Sequence, residues 1–322
     1  MFNFRNLACA LAGAALLANA PAALAADYPS RPIRVIVPYA AGGSTDQLAR
    51  VVAQPMSEAL GQPVVIENRP GAGGTIGVDA VVRADPDGYT LLFGNTGPNA
   101  VVGLMRKVSY DPLTDLQPIS TVANVPMILA VPAGSKAKTL QDFVAEAKSR
   151  GSAVNFGSVG VGSLSHLTGE YFNMLAGTSM THIPYNGGAP MVTAFVTGEL
   201  DAAFVTGLDG AAFVSSGKVR YLAVGTPEAT AVLPGMPAIA DSVPGFRSIA
   251  WFGVLGPKGM PQEVVDKLQR VVADAVARPE TQRIFSERNV EAKSSTPQEL
   301  TRIIEGEIEQ WKPVVRDARI EM

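Results

Sequence analysis

Arg34 to Arg50 reads RVIVPYAAGGSTDQLAR. The apolar run Val35-Ile36-Val37 has the composition of a buried strand, and Pro38 ends it. Ala40-Ala41-Gly42-Gly43 makes a turn, and Leu48, Val51, Val52 and Met56 then recur at helical spacing. Ser44 followed by Gln47 fits a capping box, with Ser44 as the cap. The stretch therefore predicts a strand, a glycine turn and a helix whose first N–H groups are free to attract an anion.

The same grammar runs along the chain. Val64–Ile66, Tyr89–Phe93, Ala153–Phe156, Met180–Ile183, Leu200–Val205 and Val219–Val224 read as further strands. Helical runs and Gly-rich turns separate them. Thr139 with Asp142, Ser163, and Thr296 with Glu299 mark helix starts. Alternating strands and helices imply an α/β fold with a mainly parallel sheet covered on both faces. Val125–Val131 and Ile249–Leu255 stand out as crossovers. They predict two α/β lobes joined by two hinge strands, lobe 1 from 26–127 plus 250–322 and lobe 2 from 128–249. A ligand would lie in the cleft at the strand C-termini.

Residues 1–25 read as a secretory leader. Arg5 precedes an apolar Leu7–Ala20 core, and Ala23-Leu24-Ala25 offers a cleavage site. Export to the periplasm follows. Cys9 is the only cysteine and lies in the leader, so the mature chain has no disulfide and must rely on its core. Loss of Arg5 takes the formal charge from −3 to −4. Mild acidity argues against a nucleic-acid partner but not against an anion held by backbone dipoles. No later stretch is long and apolar enough to span a bilayer.

Four turns at predicted strand ends carry the chemistry: Tyr39–Asp46, Gly94–Asn99, Gly157–Ser163 and Tyr185–Gly188. They are rich in Gly, Ser, Thr and Asn and contain no Lys or Arg. Such donors suit a carboxylate gripped by N–H groups and hydroxyls. Asp46 reads as a dipole-compensating residue of the first helical turn. Tyr39 and Tyr185, each before a glycine pair, can close over a ligand. Enzymatic readings are poorer. Gly71-Ala72-Gly73-Gly74 lacks a ribose-binding acid on a following strand. Ser163 or Ser165 with His166 would be the only hydrolase pairing, and no G-x-S-x-G elbow accompanies it. His182 reads as structural. Two histidines without a mature cysteine do not make a zinc site, and no cofactor is expected.

These segments resemble the Bug, or TctC-like, family, the periplasmic solute-binding proteins of tripartite tricarboxylate transporters. The resemblance rests on YPSRPIRVIVPYAAGGSTDQLAR, ENRPGAGGTIG, DPDGYTLLFGNTG, VNFGSVGVGSLSHLTGEYF, HIPYNGGAPMVTAFVTGELDAAF and SGKVRYLAVGT in that order, then the helical tail from Pro261. It implies a Venus-flytrap fold, type II-like, and an organic-acid ligand gripped by loops of both lobes. Carried onto this chain, the grip is Tyr39, Ala40, Gly43, Ser44, Thr45 and Thr96 from lobe 1, with Ser158, Ser163, His166, Tyr185, Asn186 and Gly187 from lobe 2. The implied partners are integral membrane permease subunits, with a periplasmic sensor kinase as the alternative. Many relatives carry an aspartate after the strand that here ends in Phe204. Val205 and Thr206 stand there instead, with Asp209 further on. That departure points to a ligand without an ammonium group: a di- or tricarboxylate, including aromatic diacids such as terephthalate.

Overall fold

The computed structural model describes residues 28–185, 188–208, 210, 214 and 217–321. The expected leader, and Asn186, Gly187 and Asp209, lie outside the described residues.

The opening stretch folds as read: β1 (Ile33–Val37), then α1 (Ser44–Leu60). The lobe continues with β2 (Val64–Asn68), α2 (Thr75–Val82) and β3 (Thr90–Asn95). Helix α3 follows, a π-helical turn over Gly97–Val101 that runs into Val102–Met105. Strands β2, β1 and β3 are parallel neighbours in that order. Ile33, Val35 and Val37 of β1 face one core with Leu48, Val52 and Met56 of α1. Ile36 turns to the other face, with Val78 and Val81 of α2. Side chains of a strand alternate between faces, so one apolar run feeds two cores. Each fully buried aliphatic side chain contributes about 1.5–3 kcal/mol.

The second lobe is built likewise from α4 (Leu140–Arg150), β5 (Asn155–Ser158), α5 (Leu164–Ala176), β6 (Thr181–Pro184), α6 (Gly188–Thr197), β7 (Ala202–Thr206) and β8 (Val219–Val224). Here β6, β5 and β7 are parallel neighbours. Gly169 brings α5 tight against the sheet, because a Cβ there would drive into the Phe156 ring.

Between the lobes runs β4 (Leu116–Pro132), 17 residues long. Its first part pairs antiparallel with β9 (Ile249–Pro257), and its last part pairs with β7 and β8. Along it, Met127, Leu129 and Val131 enter one core of the second lobe while Ile128 and Ala130 enter the other. The tail supplies α7 (Gln262–Ala277), α8 (Pro279–Ser286), the short β10 (Glu291–Ala292) on β4, and α9 (Pro297–Asp317). The result is a two-lobed α/β fold on one winding sheet.

The expectation of a mainly parallel sheet is corrected. Among the described residues four strand pairings are parallel and five antiparallel. The hinge strands β4 and β9 run against their neighbours, and β4 starts nine residues before the predicted Val125.

Candidate functional site

The turn after β1 is held from inside. Gly43 occupies the N-cap of α1 with an extended backbone and no side-chain cap, so the expected Ser44–Gln47 capping box is corrected. Asp46 takes over part of that work. It is 2% exposed, and its carboxylate accepts from Gly42 N–H at 2.8 Å, Arg50 Nε at 3.0 Å and Asn68 Nδ2 at 3.0 Å. Burial alone would raise this carboxyl, but those bonds outweigh it and hold it below the usual carboxylate range. Gln47 Nε2 donates to Gly42 O at 2.8 Å. Gly42 itself sits at φ 85°, where a side chain would be strained.

Bracing from below leaves the upper side of the turn unspent. The first-turn N–H groups of Ser44, Thr45 and Asp46 have no intrahelical acceptor, and no other acceptor meets them among the described residues. The Ser44 hydroxyl likewise has no partner among the described residues. Ala40 and Gly43 are exposed and Ser44 is half-buried.

Asn95, which closes β3, ties the rest of this half together. Its Oδ1 accepts from Tyr39 Oη at 3.3 Å, and its Nδ2 donates to Thr45 Oγ1 at 3.3 Å. Burial pushes the Tyr39 hydroxyl up to about 12, with the Asn95 bond opposing, so the hydroxyl stays protonated. Thr96 is buried, and its Oγ1 accepts from Trp251 N–H of β9 at 3.3 Å, which locks the turn to the hinge. Asn95 was not singled out from the sequence.

The second-lobe turn is closed on itself. Ser163 caps α5, accepting from His166 N–H at 3.3 Å and donating to Gly160 O at 2.6 Å. Ser165 Oγ accepts from Val159 N–H at 3.1 Å. Gly162 N–H donates to His166 Nδ1 at 3.1 Å, so His166 is the neutral tautomer with its proton on Nε2. Its ring stacks on His182 with centroids 3.6 Å apart. Burial, then His182, drives His166 down to about 3, and burial takes His182 to about 4. Both are uncharged at neutral pH. Ser158 is fully buried, with Oγ 2.6 Å from His182 Nε2. Tyr185 N–H donates to Ser158 O at 3.0 Å. Ser158, Ser163, His166 and Tyr185 thus form one network. No hydrogen bond joins the Ser163 or Ser165 hydroxyl to the His166 ring among the described residues. Ser163 Oγ and His166 Nδ1 have their polar capacity turned into the loop rather than toward each other, as a nucleophile and base would require.

Leu164, the first residue of α5, packs against the first lobe's core, as does Leu208 just beyond β7, so the two turns sit on lobes already in contact. Val205 is 6% exposed and packs with Ile128 and Ala130 in the second lobe. Thr206 is the strand-end residue nearer the surface. A groove of about 740 Å³ is lined by Thr121, Asn124, Arg247, Trp251 and Arg302 among others and includes no residue of the four turns. Its acids are largely spoken for, Glu291 by Asn124 and Glu299 by the α9 cap. Among the described residues no cluster of three or more His, Cys, Asp or Glu gathers as for a metal, and no helix is long and apolar enough to cross a membrane.

Two α/β lobes on crossing hinge strands, each with a glycine turn at a strand end, have the architecture of a solute-binding protein of the two-lobed class. The comparisons with known proteins give the family. The family model "Tripartite tricarboxylate transporter family receptor" (TctC) matches residues 48–320. The protein BugT of Bordetella pertussis is 36% identical over 304 residues, 93% of each chain. An R. palustris protein solved with adipate is 33% identical with a TM-score of 0.81, covering 92% of this chain and 99% of that one. MatC from Rhodopseudomonas palustris, solved with bound malate, is 31% identical with a TM-score of 0.76, covering 89% of this chain and 100% of that one. The chain belongs to the tripartite tricarboxylate transporter receptor family, whose members are periplasmic solute-binding proteins.

Proposed function

We propose that this chain, exported and freed of residues 1–25, captures a di- or tricarboxylate in the periplasm and delivers it to membrane permease subunits. The observation that carries the reading is the uncapped start of α1. Three N–H groups and the Ser44 hydroxyl are held ready by Asp46 beneath them, with no acceptor of their own. A carboxylate supplies the missing acceptors, and the helix dipole favours its charge.

In this reading Tyr39, Ala40, Gly43, Ser44, Thr45 and Thr96 form the first-lobe grip. Ser158, Ser163, His166 and Tyr185, with Asn186 and Gly187, form the second. Lobe 1 is 26–127 plus 250–322, and lobe 2 is 128–249. A ligand favours closure only by binding the closed state better than the open one. The solved relatives with adipate and malate carry diacids without an ammonium group, which favours that ligand class here, aromatic diacids such as terephthalate included.

A thermal-shift panel of adipate, malate, citrate, terephthalate, aspartate and glutamate tests this. A bound acid at a hundred times its Kd adds about 2.7 kcal/mol of stability. The expected hits lack an amino group. Stabilisation by aspartate or glutamate alone would overturn the ligand class. A complex with the acid seated away from Ser44 and Thr45 would overturn the site.

A further inference from the structure

The C-terminal helix does more than cover the first lobe. Its first half packs Leu300 and Ile304 under β1 and β9. In its second half Trp311, Val314 and Val315 share a cluster with Ala100, Val101 and Val102 of α3 and Leu167 of α5, with Tyr171 beside them. Helices α3 and α5 each begin directly after a gripping turn, one per lobe. Helix α9 is thus a strut between the two elements that carry the grip.

One carboxylate fixes that strut. Glu307 is 1% exposed, and its Oε2 accepts from Trp311 Nε1 at 2.6 Å. Its Oε1 lies 3.6 Å from Arg247 Nη1. Gln310 Nε2 donates to Arg247 O at 2.7 Å. Arg247 stands between Phe246, a core residue of the second lobe, and Ser248, which bonds Thr168 of α5 at 2.7 Å and leads into β9. The Trp311 ring meets Tyr171 of α5 edge-on at 5.6 Å.

We propose that Glu307, acting through Trp311 and Arg247, is a positioning residue for the ligand grip, holding α9 against both lobes so that the two turns face each other in register. The inference rests on the carboxylate-binding reading above. Burial pushes the Glu307 carboxyl up to about 7, opposed by Trp311 and Arg247. The groups facing it are Trp311 on its own helix and Arg247 from the segment entering β9. Helix α5 presents Tyr171 to Trp311, and Glu170, also raised by burial, one residue before it. Protonation removes the charge that Arg247 pairs with, so the grip loosens as pH falls through 7. The sign for folding is opposite. A carboxyl raised above its unfolded value stabilises the fold below about 4.5, and that contribution is lost as pH rises through 7.

Three measurements on the full mature chain test this. Calorimetry with adipate as the probe should show affinity falling about fivefold from pH 8 to pH 6. Glu307→Gln should be flat across that range at the weak value while melting higher than wild type at pH 8. Arg247→Gln, at a half-exposed position, should reproduce the weak binding. Without any ligand, amide exchange at pH 8 should quicken together in 97–105 and 164–176 of Glu307→Gln and leave β1 and β2 unchanged. An unaltered pH profile of affinity in Glu307→Gln, or quickened exchange confined to α9, overturns the proposal. Failure of every acid in the panel to bind wild type would instead strike the carboxylate-binding reading, with the exchange result still deciding the strut.

Discussion

The turns after β1 and after β5 have the same layout, strand then glycines then helix, yet their hydrogen bonds are spent differently. In the first lobe the cap position is a glycine, the bracing carboxylate of Asp46 lies underneath, and the donors at the top of α1 are free. In the second lobe Ser163 caps α5, Ser165 and His166 take the loop's own N–H groups, and Val161, Leu164 and Ser165 keep theirs among the described residues. In the reading proposed above, the first turn receives the charge of the acid and the second holds a shape. In that reading the acid docks on α1 first, and the second turn closes onto it.

The contrast breaks most severely at Asp46. Asp46→Ala strips Gly42, Arg50 and Asn68 of their shared acceptor at a buried position. Arg50 is half-exposed, so solvent screens part of the loss. Stability should fall by about 2 kcal/mol in urea denaturation. Affinity for the panel's best acid should fall more than tenfold, because the free donors lose their brace. Unchanged affinity would mean the turn needs no support from within.

Next in size is a crossed pair. Ser44→Ala removes a hydroxyl with no structural duty, so it should weaken binding about fivefold and shift stability by less than about 0.5 kcal/mol. Ser163→Ala removes a cap and should cost about 1 kcal/mol of stability with the smaller effect on affinity. The reverse pattern would exchange the roles of the two turns.

Much of this could be read in the sequence, and the misses share a cause. The strand, turn and helix of 34–50 are written locally in apolar spacing and glycine. The capping-box reading went wrong because Ser44 and Gln47 have the right separation while the chain places Gly43 at the cap. Asp46 wins the role through Asn68, which β2 brings to it. Asn95 was missed because Tyr39 and Thr45 reach it only when β1 and β3 pair. The stacking of His166 on His182 depends on β5 lying beside β6. Leu116–Asn124 was not read as strand because Pro118 and the Ser-Thr pair interrupt its apolar run. Tertiary partners, not propensity, decide each case.

A smaller effect comes from acid. The two histidines must stay neutral for His166 Nδ1 to accept from Gly162. Their folded values lie below the unfolded 6.5, so their contribution to stability is full above 6.5 and is lost as pH falls through about 4 and then 3. His166→Gln should flatten acid unfolding in that window and leave stability at pH 7.5 closer to wild type. Identical acid curves would show that the stacked pair does not hold the second turn.

The smallest expected effect separates dipole capture from capture by cations. Neither of the two turns contains a Lys or Arg, and the guanidinium groups beside the first are committed, Arg50 to Asp46 at 2.9 Å and Arg288 to Gln47 at 3.2 Å. A site built on fixed cations draws its ligand through a long-range field that salt screens beyond about 8–10 Å. Short bonds from backbone N–H groups act at contact distance and feel little of that screening. Affinity for a diacid should therefore change less than about twofold between 50 and 300 mM sodium chloride. A tenfold loss would require Arg50 to leave Asp46 for the ligand, and the first turn would then work by charge pairing rather than through its uncapped helix.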